Sequence, residues 1–179
     1  MRIEANSLIE LLAKGPAESG LATLEMCREM WLKSTLPLPL AEMLRLRVAQ
    51  LAKCEYALHI RFEEPVEAGL TEAMLAQIHE PERSDLPESW KLALQFAELL
   101  LTNPEAISDA YYAEMLLHFP EAQLVEMTYF ITHNNVMHRF CVAMQVPPPN
   151  GDKIEWRRLG LPVTKAAQQA ASKSRSAQA

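Results

Sequence analysis

Proline and glycine cut this 179-residue chain into short lengths, and most lengths between the cuts carry apolar residues at helical spacing. The stops are Gly15-Pro16, the turn "LPLPL" at Leu36 to Leu40, Pro65 with Gly69, Asn103-Pro104 and "PPPNG" at Pro147 to Gly151. A residue ahead of proline is pushed out of the α region, so each stop ends a helix. Helical patterns fill residues 6–14, Leu21 to Lys33, Ala41 onward through Cys54 toward Phe62, "GLTEAML" from Gly69, and Trp90 to Thr102. Two more follow Ser108 and Pro120, with Thr71 and Ser108 as caps and Pro120 suited to a first turn. Glycine is scarce at 5, and β-branched residues are few beside Leu, Ala, Met, Glu and Gln. The expectation is an all-α bundle of six to eight helices without a strand.

The chain divides into an N-terminal helical segment (1–35), a core (36–146) and a Pro-rich loop with a polar arm (147–179), all within one domain. A net charge of -6 draws the protein toward neither nucleic acid nor an anionic membrane. Three cysteines, Cys27, Cys54 and Cys141, are too few and too scattered for a secreted disulfide framework. The N-terminus lacks the apolar core of a signal peptide, and no apolar run reaches the ~18 residues of a membrane span. These features make the cytoplasm the expected location. No metal-ligand spacing, phosphate loop or nucleophile elbow is present, so no cofactor and no metal are expected. The methionines fit a helical core.

Chemistry concentrates in "RLRVAQLAKCEYALHIR", Arg45 to Arg61. On a regular helix Arg61 shares a face with Cys54, while His59 points ~140° away and pairs more readily with Glu55. A thiolate needs a cation or a helix N-terminus to form at neutral pH. Arg61 is the candidate cation, and backbone N–H groups would add to it if a helix begins at Cys54. Against this stands the commoner fate of a lone helical cysteine, which is burial in a core. Farther on, His133, Asn134, Asn135, His138 and Arg139 form either a pocket wall or polar groups satisfied at a helix surface or interface.

The stretch "EMLRLRVAQLAKCEYALHIRFEEPVEAGL", Glu42 to Leu70, resembles the carboxymuconolactone decarboxylase family, which includes the AhpD-type peroxidases. The later "AISD", "HF", "LVEMT" and "RF" are similar to the second half of such proteins, so the likeness covers most of residues 36–146. The resemblance implies an AhpD-like all-α fold and a homo-oligomer, trimer or hexamer. In the peroxidase branch it implies two cysteines with a glutamate and histidines as a proton relay. Glu42 matches the relay glutamate and Cys54 the first cysteine. Tyr56 stands where some members have a relay histidine, Ala57 replaces the second cysteine, and Arg61 replaces the following histidine. Ala52-Lys53 stands where Asn-Gly is common.

The Cys-x-x-Cys motif is therefore degenerate, and Glu42, Cys54, His59 and Arg61 are the candidate catalytic residues. Three functions compete. One is a residual thiol peroxidase, with Cys54 attacking, Glu42 accepting a proton and Arg61 stabilising the thiolate. A second is a non-redox lactone decarboxylase or isomerase, with Glu42 and His59 in acid–base roles and Arg61 binding a carboxylate. The third is a silent oligomeric binding protein. Without a thiol at position 57, an oxidised Cys54 is expected to stop at sulfenic acid or await an external thiol, so peroxide turnover should be poor. Cys27 or Cys141 could take the missing thiol's place only if the fold brought one of them near.

Overall fold

The computed structural model describes residues 2–5 and 8–148, so most of the expected C-terminal arm lies outside the described residues. Nine α-helices appear among them: α1 Leu8–Ala13, α2 Ala17–Leu32, α3 Leu38–Ala52, α4 Glu55–Leu58, α5 Glu63–Glu67, α6 Glu72–Leu75, α7 Glu88–Thr102, α8 Asp109–His118 and α9 Glu121–Met144. Three of these, α4, α5 and α6, are single turns of 4 or 5 residues, which is why the count exceeds the six to eight expected from longer stripes. No strand occurs among the described residues.

Helix α3 is the axis of the fold. Every residue from Pro39 to Ala49 is buried, and α9 and α7 pack along it while α4 and α5 fold back onto it. Leu40, Met43, Leu44 and Val48 are fully enclosed, each stabilising the fold by roughly 1.5–3 kcal/mol. Truncating one of them, as in Leu44→Ala, would cost about 2–5 kcal/mol through lost burial and the cavity left behind. Burial extends even to the charged Arg45 and Arg47.

The N-terminal helices are fastened to this core at two points. Trp31 packs edge-on against Phe62 and Phe130, with ring centroids 4.9 and 5.2 Å away. The buried Glu126 carboxylate on α9 accepts the Thr35 N–H at 3.0 Å and the Ser34 and Thr35 hydroxyls at 2.5 Å. A buried carboxylate is tolerated when its lone pairs are filled in this way. The caps at Thr71 and Ser108 form as expected, each oxygen accepting an N–H three residues on, at 3.2 Å.

Candidate active site: two thiols where helix ends converge

Helix α3 does not run on through Cys54. It stops at Lys53, whose backbone is left-handed (φ 54, ψ 43), and the N–H groups of Lys53 and Cys54 turn back to the Ala49 carbonyl. A lysine held there costs roughly 1–2 kcal/mol that glycine would not. Cys54 is then extended and becomes the residue that precedes α4. Helix α9 ends in the same way, at left-handed Gln145, with the Val146 N–H returning to the Cys141 carbonyl. These two ends meet, and they bring Cys54 and Cys141 into one small buried cluster with Ala49, Ala57, Leu11 and Val146.

The two thiols border the same cavity within that cluster. The neighbouring Cys141 thiol, acting as a hydrogen-bond donor, is the largest cause that pulls Cys54 down to about 7. Burial opposes it, while the backbone N–H groups of Ala57 and Tyr56 and the Arg45 guanidinium reinforce it. Cys141 moves the other way, far above the ordinary thiol range, because its proton is held by the Cys54 sulfur, by burial and by the neighbouring negative charge. Of the two, Cys54 is therefore the thiol that gives up its proton more readily. The fold thus meets, for Cys141, the condition set for a stand-in thiol: it brings that cysteine near Cys54.

Arg45 is the cation of the site. Its Nε and Nη2 donate to the two oxygens of Glu42 at 2.7 and 2.6 Å. The same guanidinium donates to the carbonyls of Ala57 at 3.0 Å and Ile60 at 2.8 Å, and it lies 4.9 Å from the Phe62 ring centroid. It therefore ties the chain after Cys54 to α3, and its charge lowers the Cys54 pKa. Glu42, fully buried, also accepts the Phe62 N–H at 3.4 Å and lines neither cavity described below. Its carboxylate is taken up by Arg45 and does not face the Cys54 cavity.

Two cavities flank the thiols. One, of about 200 Å³, is lined by Cys54, Cys141 and Tyr56, with exposed Lys53, Glu55 and Gln145 at its rim. The other, of about 220 Å³, lies behind Cys141 and Tyr56 and is walled mainly by apolar side chains, among them Trp31, Phe62 and Met137. Asn134, His138 and Arg45 supply its polar wall. His138 is 5% exposed and is pushed down to about 3, mainly by burial and then by the Arg45 charge. Its ring bonds to the Val48 backbone, and its Nδ1 is buried without a partner. A neutral ring with one nitrogen donating to that carbonyl leaves Nδ1 as an open acceptor. The pocket-wall alternative for the α9 polar cluster therefore describes Asn134 and His138, while exposed Arg139 bonds Asn135 at 3.0 Å.

His59 and Arg61 lie away from the sulfur. His59 is exposed, with Nδ1 2.7 Å from the Glu55 carbonyl. Arg61 bonds Glu72 at 3.2 Å and the Leu58 carbonyl at 2.7 Å, and it is not among the charges that act on Cys54. The expectation of Arg61 at the thiolate assumed one continuous helix. The break at Lys53 and the single turn of α4 rotate it elsewhere. Sequence reasoning named Cys141 only as a conditional partner and left Arg45 out of the site. Arg45 had a signal, since an arginine three residues after a glutamate in an otherwise apolar helix needs a buried partner. Among the described residues, no group of three His, Cys, Asp or Glu side chains is placed to hold a metal. No described helix is long and apolar enough to cross a membrane.

This arrangement of helices is an AhpD-like all-α fold. The chain superposes with a TM-score of 0.61 on the crystal structure of a protein of unknown function from Agrobacterium tumefaciens, described as a candidate antioxidant defence protein AhpD. That match covers 75% of this chain and 92% of the other at 16% identity. In sequence the chain is 28% identical over 113 residues to the uncharacterized protein YnjA of Escherichia coli (strain K12). The aligned region is 63% of this chain and 62% of that relative's length. No family model matches the chain.

Proposed function

We propose that the protein is a thiol-dependent hydroperoxide reductase related to the carboxymuconolactone decarboxylase and AhpD proteins, with Cys54 as the nucleophile. The observation that carries this reading is the placement of Cys54 at the head of α4, beside Cys141 on one cavity, where the neighbouring thiol, two backbone N–H groups and Arg45 favour its thiolate. Peroxide reduction needs a thiolate, and these groups supply one near neutral pH. The sulfur attacks one peroxide oxygen, the O–O bond breaks, and the departing alkoxide or hydroxide takes a proton from water. Cys54 is left as a sulfenic acid, oxidised by the two electrons that the peroxide gains. The open cavity beside Lys53 and Glu55 gives a small peroxide its route to the sulfur.

The acid–base alternative asks Glu42, His59 and Arg61 to surround one substrate. Glu42 is enclosed by Arg45 while His59 and Arg61 face other partners, so the geometry favours the thiol reading. We further propose that the protein works as a homo-oligomer in the cytoplasm. Leu117, Val125 and Val136 stand 82, 64 and 61% exposed on α8 and α9, an apolar surface suited to a subunit contact.

The test is a single-turnover measurement with hydrogen peroxide and cumene hydroperoxide in the absence of reductant. The expected result is one equivalent of peroxide consumed per chain by the wild type and none by Cys54→Ser. Equal behaviour of the two proteins would overturn the reading.

A further inference from the structure

We propose that Cys141, from the last turn of α9, is the resolving thiol of this site and forms an intrachain disulfide with Cys54 in each catalytic cycle. The inference rests on the hydroperoxide reading above and adds a residue to it. Cys54 and Cys141 share one buried cluster and line one cavity. Position 57, where the dithiol pattern would place its second cysteine, is a buried alanine in that same cluster. The sulfur missing from α4 is thus supplied across the cluster by α9. Cys27 is partly buried against the other core cluster and does not line the Cys54 cavity.

The charge on Cys54 also orders the steps. While Cys54 is a thiolate, it holds the Cys141 proton by hydrogen bond and by charge, so Cys141 stays a thiol and does not compete for peroxide. Oxidation of Cys54 to the neutral sulfenic acid removes that charge and weakens the hold on the proton. The Cys141 sulfur then attacks the Cys54 sulfur, an S–S bond forms, and the S–O bond breaks. The sulfenic hydroxyl leaves with the Cys141 proton as water, so atoms and electrons balance without a further reactant. A dithiol reductant attacks the disulfide, leaves as its own cyclic disulfide and returns both cysteines to the starting state. Lys53 and Gln145, the left-handed residues that end α3 and α9, flank the pair, so closing the bond ties two helix ends rather than two mid-helix positions.

The experiment oxidises the full chain with one equivalent of cumene hydroperoxide, blocks free thiols with iodoacetamide and maps peptides without reduction. A parallel sample carries dimedone to trap sulfenic acid. In the wild type the expected product is a Cys54–Cys141 linked peptide pair with two hydrogens lost and little dimedone adduct. In Cys141→Ser, dimedone on Cys54 is expected to rise at least tenfold. If Cys141→Ser traps dimedone on Cys54 but the wild type yields no linked pair, the resolving role falls and the nucleophile stands. If neither protein forms an adduct or a linked pair at Cys54, both readings fall. The wild-type map needs no variant, so a poorly folded Cys141→Ser would leave the disulfide claim decided.

Discussion

Arg45 and Glu42, one turn apart on α3, close a two-point ion pair at 2.7 and 2.6 Å inside the core, and the same guanidinium holds the Ala57 and Ile60 carbonyls of the chain that follows Cys54. Side-chain exposure is 4% for Arg45 and 0% for Glu42, so neither charge can be left alone. Breaking such a pair by removing one partner strands a buried charge. Arg45→Leu is expected to lower the unfolding free energy by about 3–5 kcal/mol, read from urea denaturation. Arg61→Ala, whose partner Glu72 is exposed, is expected to cost no more than about 1 kcal/mol. Equal losses in the two variants would remove Arg45 from the centre of the site.

The thiol pair predicts a pH profile. Only the thiolate is alkylated, so the reaction of Cys54 with iodoacetamide should rise through about pH 7 and level off by about pH 8. Removing the Cys141 S–H takes away the largest cause of the lowering. In Cys141→Ala the midpoint is therefore expected to move up toward the ordinary thiol value of about 8.5. A midpoint unchanged by this substitution would mean that the two sulfurs do not share a proton.

His138 predicts an acid-side loss of stability. Burial and the nearby Arg45 and His133 charges hold its folded-state value at about 3, against 6.5 for a free imidazole. Below pH ~6.5 the unfolded chain binds a proton that the folded chain refuses, so stability falls as pH drops from there toward 3, by at most about 1.4 kcal/mol per pH unit. His138→Gln should flatten that slope between pH 6 and 4 when denaturation midpoints are compared. An imidazole resonance of His138 that titrates near 6.5 by NMR would refute the burial argument.

Apolar spacing and the proline stops located the long helices, and the caps at Thr71 and Ser108 followed from side-chain chemistry. Spacing failed at the site itself. Residues Ala41 to Phe62 read as one helix, because Lys53 carries no sign that its backbone turns left-handed. That single residue redirects everything after it, which is why Arg61 was assigned to the sulfur and Arg45 was not. Cys141 lies on another helix, and its approach to Cys54 is a tertiary fact with no local signature. Cys54 and Glu42 were named from the sequence; the fold places Cys54 on a cavity and Glu42 in an ion pair with Arg45 away from it.

The exposed apolar face of α8 and α9 predicts self-association. Light scattering on the wild type is expected to give a multiple of the 20.2 kDa chain mass, and Val136→Asp to shift the distribution toward the monomer. A wild-type monomer at micromolar concentration would exclude an oligomer built on this face.

Steady-state peroxide consumption driven by a small dithiol, such as dithiothreitol, tests the working thiol pair most directly. The wild type is expected to cycle many times per chain, Cys54→Ser to fall to the uncatalysed background, and Cys141→Ser to retain less than about a tenth of the wild-type rate. Wild-type consumption no faster than that of Cys54→Ser would contradict the account.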